Sequence, residues 1–290
     1  MISFRSCLWF DGQALPAAEF YKKTFKNVEI TQVEKYGKAG QEIHQQPEGS
    51  IMTVAFSIGK QKFLGLNAGP LFKFNPSFSN FIFCSSKNEI DRLWSELSAG
   101  GKIRMSLDEY PWSKKYGWTT DRFGVEWQIM LSENQDEILP ALLFVDQLYG
   151  QGQKALDFYT THFQSSEILF KAMDETKKIV MHAQFSLNGQ KFVLMEGQGQ
   201  HGHTFNEAYS MIIECDSQKE IDEHWTGLSQ GGSAGPCGWL KDPYGISWQI
   251  NPAQMSHWLK NSSDKQKDRL MTALLKMTKI DIATLEKALD

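Results

Sequence analysis

Short apolar runs and alternating stretches, separated by turn residues, recur along the chain in a fixed order. Residues 7–10 and 142–145 are apolar runs that suit strands, and 17–25 and 154–163 place Ala, Phe and Tyr at helical spacing. Residues 51–58 and 180–187 alternate apolar with polar positions. Gly59-Lys60-Gln61-Lys62 and Asn188-Gly189-Gln190-Lys191 then supply turn residues ahead of 63–66 and 192–195, which predicts two hairpins. Further strands are predicted at 78–84 and 209–215. Helices are predicted at 87–97 and 218–228, closed by Gly-Gly pairs suited to a left-handed C-cap, and last strands at 125–130 and 246–250.

The second set of elements repeats the first. Phe20-Tyr21, Phe25 and Glu29-Ile30 return as Phe158-Tyr159, Phe163 and Glu167-Ile168 at an offset of 138, and Met52, Phe56-Ser57 and Gln61-Lys62-Phe63 return at an offset of 129. Ile90-Asp91, Trp94, Leu97-Ser98 and Gly100-Gly101 return at 131, and Gly117-Trp118, Asp121, Gly124 and Trp127-Gln128-Ile129 at 121. The 25 identities in 48 aligned positions are far above chance, so the halves are a tandem duplication. The changing offset places extra residues of the first half near 37–49 and around 102–116, where exposed loops are expected. Each half reads as two consecutive β-α-β-type units, and the chain as α+β with mostly antiparallel hairpins. The expected division is one module at 1–135, a second at 136–253 and a helical tail at 254–290. In the tail, Leu270, Met271, Leu274, Leu275 and Met277 form an amphipathic stripe, and Asp281 is placed to cap a last helix through Leu289. The tail packs either within the chain or onto a partner chain.

Length and charge narrow the function classes. A chain of 290 residues is long enough for two domains with a substantial core. Thirty Lys and Arg against 34 Asp and Glu give a net charge of −4, which argues against a nucleic-acid binder relying on phosphate neutralisation. No apolar run approaches the roughly 18 residues needed to cross a bilayer, and the start lacks the pattern of a signal peptide, so the expected location is cytoplasmic. Cys7, Cys84, Cys215 and Cys237 form no CxxC pair and read as reduced thiols.

Leu8-Trp9-Phe10-Asp11-Gly12-Gln13-Ala14, followed by Phe20-Tyr21 and Phe25, resembles the opening of the PhnB-like proteins. These are often labelled 3-demethylubiquinone-9 3-methyltransferase domains. They belong to the vicinal oxygen chelate superfamily, with glyoxalase I, extradiol dioxygenases and bleomycin-resistance proteins. The resemblance continues through Phe72-Lys73-Phe74-Asn75, the stretches 107–118 and 121–128, the second-half stretch 237–250 and the tail segment 276–282. It implies a glyoxalase-type fold of paired βαβββ modules whose sheets curl into an open, barrel-like cleft; one module per half is expected.

In metal-using relatives the ligands are a His on a module's first strand and a Glu or His on its last, four residues after the Gly of the preceding turn. Here those last-strand positions are Gln128 and Gln249. The first strands offer Phe4, Ser6, Leu8 and Phe10, and Leu139, Ala141, Leu143 and Val145, on the face expected to see the cleft. No cofactor is expected, and a divalent metal would lack its matching ligands. The methyltransferase label finds no strand, Gly-rich loop and helix in sequence: Gly197-Gln198-Gly199 runs into His201-Gly202-His203.

The period of two along a strand places Glu126 and Ser247 on the same face as Gln128 and Gln249, and turns Trp127 and Trp248 towards the helices. Gln128 and Gln249 are expected to contact substrate or to plug a closed interface. Glu196, aligned with Asn67, is the one carboxylate ending a hairpin strand; Glu196 and Glu126 are the candidate acid–base residues, and Asn67 a candidate contact. Tyr110, Trp112 and Trp118, in the insertion, suit either a lid that stacks on a flat ligand or a structural flap. His201-Gly202-His203 is a place for a metal or a polar surface loop. The expectation is a protein, monomeric or homodimeric, that binds a small metabolite in an aromatic-lined cleft. The alternatives are a metal-dependent lyase, isomerase or dioxygenase and, behind it, a methyltransferase.

Overall fold

Four β-α-β-β-β units follow one another along the chain, in a computed structural model that describes residues 2–133, 136–174 and 176–290. The first runs through β1 (Ser3–Phe10), α1 (Ala14–Thr24), β2 (Val28–Lys35), the one-turn α2 (Gln41–His44), β3 (Ile51–Ile58) and β4 (Gln61–Asn67). The second holds β5 (Phe78–Cys84), α3 (Lys87–Ser98), β6 (Lys102–Tyr110), β7 (Ser113–Thr120) and β8 (Glu126–Leu131). The third holds β9 (Glu137–Phe144), α4 (Gly152–His162), β10 (Ser166–Asp174), β11 (Ile179–Leu187) and β12 (Gln190–Glu196). The fourth holds β13 (Tyr209–Cys215), α5 (Gln218–Ser229), β14 (Ser233–Ala234), β15 (Trp239–Lys241) and β16 (Ser247–Pro252). The tail forms α6 (Met255–Asn261), α7 (Asp264–Leu274) and α8 (Ile282–Leu289).

Two expectations are corrected here. Each half carries two modules rather than one, because the predicted β-α-β stretches gain β2 in the first unit, β6 and β7 in the second, β10 in the third and β14 and β15 in the fourth. The insertion at 102–116 is also no loop. It is the β6–β7 hairpin, closed by the two residues Pro111 and Trp112.

The sheets run across the repeat. The first has the strand order β14-β15-β16-β13-β1-β4-β3-β2 and the second β10-β11-β12-β9-β5-β8-β7-β6. Thus β1 pairs antiparallel with β13 from the other half (Ser3 with Glu214 through Leu8 with Tyr209), and β5 pairs with β9 (Phe78 with Leu142 through Phe83 with Glu137). Residues 134–135, at the expected module boundary, lie outside the described residues; what that boundary divides is the sequence repeat, not the sheets. The repeats are related by a local twofold axis. Phe78 stacks on its own counterpart Tyr209, with ring centroids 3.8 Å apart. Asn75 donates to the Thr204 carbonyl while its counterpart Asn206 donates to that of Lys73.

The four long helices of the units lie between the sheets. Helix α1 rests on β3 and β4 and touches α3, which rests on β7 and β8; α4 on β10 and β11 touches α5 on β15 and β16. Ala14, Ala17, Ala18 and Tyr21 give α1 a small-residue face that is fully buried. The fit is close enough that a Cβ on Gly65 of β4 would lie 2.9 Å from the Ala14 side chain. Ser86 and Ser217 cap α3 and α5 by accepting from the backbone N–H of Glu89 and Glu220. Trp127 and Trp248 face this layer, as their alternation predicts, and are at most 2% exposed.

Two buried carboxylates lock the layer. Asp121, in the β7–β8 turn of the second sheet, accepts from Tyr21 Oη of α1 at 2.7 Å, from Trp127 Nε1 at 2.8 Å and from the N–H groups of Phe123 and Val125. Asp242, in the β15–β16 turn of the first sheet, is held in the same way by Tyr159 of α4, Trp248, Tyr244 and Ile246. Each carboxylate therefore joins a turn of one sheet to a helix of the other.

The tail packs within the chain, burying Leu270, Ile280 and Leu285. Ser263 and Gln266 form a capping box at α7, and Asp281 caps α8 through the Thr284 N–H. No helix among the described residues is long and apolar enough to cross a membrane.

Asp121→Ala leaves a buried Tyr hydroxyl, an indole N–H and two backbone N–H groups without their acceptor, and is expected to cost about 3 kcal/mol in urea denaturation. Burial pushes both carboxyls up to about 6. A carboxyl raised above its unfolded value contributes stability that is present below about pH 4 and is lost as pH rises through 6. The gap between the native protein and Asp121→Asn should therefore be wider at pH 4 than at pH 7, by up to about 2–3 kcal/mol for a shift of two units. An equal gap at both pH values would show that Asp121 is ionised throughout.

Candidate functional site

With the helices between the sheets, each sheet turns its other face outward. On β1 that outer face carries Arg5, Cys7 and Trp9. The expectation that Phe4, Ser6, Leu8 and Phe10 see a cleft is corrected: Phe4, Leu8 and Phe10 belong to the core between the sheets, because the helix layer lies on their side of the strand. On β9 the outward set is the expected one, with Leu139 and Ala141 in a separate apolar cluster. Gln128 with Glu126, and Gln249 with Ser247, face outward as their spacing predicts.

The outer face of the first sheet forms a groove with the tail across it. Gln249 Nε2 donates to Ser210 Oγ at 3.0 Å, and burial pushes the adjoining Cys7 thiol up to about 11. Arg5 pairs with Glu214 at 2.7 Å. Trp9 meets Phe72 and Trp239 edge-on. One lip is tied to the tail through Gln32, which donates to the Ser256 carbonyl, and Glu34, which pairs with Lys267 at 3.1 Å. At the other, the N–H groups of Cys237 and Gly238 donate to the carbonyls of Met277 and Thr278.

The outer face of the second sheet is a groove without that cover. Phe81, Phe83, Tyr116, Leu139, Ala141 and Val193 form its floor, separate from the main core. They are at most 5% exposed although the helices lie elsewhere, so the sheet itself wraps around them. Met105, Tyr110, Trp118, Met130 and Met195 are half-buried walls. The His182 ring lies 5.7 Å from Phe81 and 6.0 Å from Phe170, and burial pushes its pKa down to about 4, so it is neutral at physiological pH.

One end of this groove is polar. Gln128 accepts from Tyr116 Oη at 2.6 Å and donates to Ser79 Oγ at 2.9 Å. The Glu126 carboxylate, fully buried, accepts from Arg104 at 2.7 Å, Thr120 at 2.8 Å and Trp118 Nε1 at 2.9 Å. His203 Nδ1 lies 2.8 Å from Ser77 Oγ. At the hairpin tip Tyr110 and Trp112 stack at 5.1 Å, and Tyr116 meets both edge-on.

The structure thus brings Gln128, Glu126, Tyr110, Trp112 and Trp118 to one groove and puts Gln249 in the other. Asn67 and Glu196 face the helix side. Asn67 Oδ1 accepts from the Ala14 N–H at the start of α1, and Glu196 accepts from the N–H groups of Gly150, just before α4, and Val180. Phe81, Phe83, Arg104, His182 and the Ser77–His203 pair were not singled out as groove residues from sequence. For the strand residues the only signal is alternation, which is read once the helix layer is located; Ser77 and His203 lie in the loops before β5 and β13.

The donor set does not fit a divalent metal at the superfamily position. Both polar atoms of Gln128 are engaged, the facing β9 residues are hydrocarbon, and the first groove presents Arg5 beside a thiol with a raised pKa. Among the described residues no group of three or more His, Cys, Asp and Glu side chains is placed to hold an ion. The segment after Gly197-Gln198-Gly199 leads to β13 and not to a helix. A surface hollow of about 470 Å³ lies on the other side of the sheet, where α1 meets the β7–β8 turn, with Arg122 over the Phe20 ring.

A family model described as 3-demethylubiquinone-9 3-methyltransferase matches residues 3–130 and 136–251. The PhnB protein from Bacillus cereus is 33% identical over 44% of this chain and 98% of its own, with a TM-score of 0.40. Protein YjdN of Escherichia coli (strain K12) is 30% identical over 92 residues, 31% of this chain and 63% of that protein, so the match spans just under two thirds of this curated relative. Glyoxalase I from Zea mays is 13% identical over 87% of this chain and 94% of its own, with a TM-score of 0.58. That last likeness is one of fold, and the α+β glyoxalase-type architecture expected from the sequence is the one found.

Arg104→Met strands the buried Glu126 carboxylate without its cation and is expected to cost about 2 kcal/mol, read as a lowered urea midpoint. Lys191→Met breaks a half-exposed pair with Glu137 and should cost less than about 1 kcal/mol. Equal midpoints for the two variants would show that Glu126 does not depend on Arg104.

Proposed function

Because the chain belongs to the PhnB-like family described as 3-demethylubiquinone-9 3-methyltransferase, we propose that it binds a small, flat, largely apolar metabolite in the groove of the second sheet. The observation that carries this reading is the second apolar cluster, on a face where no helix needs packing. Methionine and aromatic side chains make its walls, and these adapt to a flat guest at little cost. Phe170 and Trp112, more than half exposed, stand at its two lips. Gln128 fixes Tyr116, and Glu126 fixes Trp118 and Arg104, so the polar end is ordered before a ligand arrives.

One chain already contains both cross-half strand pairings, which supports a monomer as the binding unit. The four free cysteines are compatible with a reducing, cytoplasmic setting. Metal-dependent and methyl-transfer chemistry find no supporting residues among those described, and the reading needs neither.

The test is titration with 1-anilinonaphthalene-8-sulfonate, followed by its fluorescence. The native protein is expected to bind one molecule per chain, and Met195→Trp, which fills the groove from its wall, to weaken binding more than tenfold while the protein stays folded. Undiminished binding to the filled variant would overturn the assignment.

A further inference from the structure

The polar end of the second groove differs from its repeat counterpart in a way that points to the ligand. Ser77 and His203 correspond, at the offset of 131, to Ala208 and Phe72, so the first groove has hydrocarbon where the second has a hydroxyl and an imidazole. Phe72 packs on Trp9; His203 instead sits on Ser77. Ser77, just before β5, continues the outward line of Ser79, which holds Gln128, and of Phe81 of the floor. The His203 ring is close enough to Arg104 and Glu126 to feel both charges.

The contact fixes the ring's tautomer. Ser77 is 1% exposed, and among the described residues its hydroxyl has one partner, His203 Nδ1. Were Nδ1 the donor, the hydroxyl proton would be buried without an acceptor, at a cost of about 1–3 kcal/mol. The hydroxyl therefore donates to Nδ1, and the ring proton resides on Nε2. Burial keeps the ring's pKa below its ordinary value, so the neutral form persists at pH 7. Nε2–H is then a neutral donor with no partner among the described residues. After His201 and Asp146, the next charge that acts on the ring is the Arg104 guanidinium, which uses two of its five N–H groups on Thr120 and Glu126. Glu126 already balances the Arg104 charge, so this end offers donors without a strong net positive field.

Resting on the groove reading above, we infer that His203, oriented by Ser77, reads a hydrogen-bond-accepting oxygen on the ligand: a flat aromatic body carrying a carbonyl group at one end. The first groove, with Phe72 and Ala208 in these places, has no such reader.

Equilibrium dialysis with 2-acetylnaphthalene and 2-ethylnaphthalene, which differ by the carbonyl oxygen, tests this. The native protein is expected to favour the acetyl compound by about tenfold, as one well-made hydrogen bond allows. His203→Phe should bring the two affinities to within about twofold, and His203→Gln, which keeps a donor, should restore part of the preference. Ser77→Ala, which frees the tautomer, should lower the preference without changing the affinity of the ethyl compound. Equal binding of both compounds to the native protein would overturn this inference and leave the groove reading standing. If neither compound binds, the groove reading itself falls.

Discussion

Each sheet is tied to the helices of the other by a buried carboxylate. Asp121 and Asp242 each gather a Tyr hydroxyl, a Trp N–H and two backbone N–H groups. A buried carboxylate is costly, and four donors at once are what make it tolerable. The arrangement fixes the distance between α1 and the β7–β8 turn, and with it the direction in which the strands of the second sheet present their alternate residues. The helix face is thereby committed to core, and the opposite face is left for chemistry. Both grooves follow from this division.

The two grooves keep one polar contact in common and differ in the rest. Gln128 with Ser79 and Gln249 with Ser210 are the same bond made twice, which marks it as part of the scaffold. Where the second sheet has Glu126 the first has Ser247, whose buried hydroxyl has no partner among the described residues. Where the second sheet extends the β6–β7 hairpin over its groove, the first has only the two-residue β14, and the tail takes up that space. The two halves of the duplication have in this way given one covered face and one open face.

Much of the architecture was legible in the sequence. The duplication, the hairpins at Ile51–Ile58 and after it, the helix at Lys87–Ser98 and the capped last helix all rest on local patterns that tertiary contacts reinforce. The cross-half pairing of β1 with β13 was not legible, since the edge a strand pairs with is decided by shape and not by its own residues. The outward face of β1 is not legible for a related reason: Phe4, Leu8 and Phe10 announce burial but not which layer buries them. The role of Arg104 is not legible in the sequence because it depends on Glu126, 22 residues away and brought opposite only by the hairpin. In sequence His203 suits a metal or a polar surface loop, and only its contact with Ser77 gives it a different sense.

The pairing of strands across the repeat has a consequence for how such a protein assembles and changes. A half-length chain with this pattern would leave the edges of its first strands, β1 and β5, unsatisfied and would complete each sheet by meeting a copy of itself. Joining the halves turns that encounter into an intramolecular one, so that assembly no longer depends on how much protein is present. It also releases a symmetry constraint. In a self-complementary pair every substitution appears on both sides of the axis, whereas in the fused chain Ala208 can face one way while Ser77 faces the other.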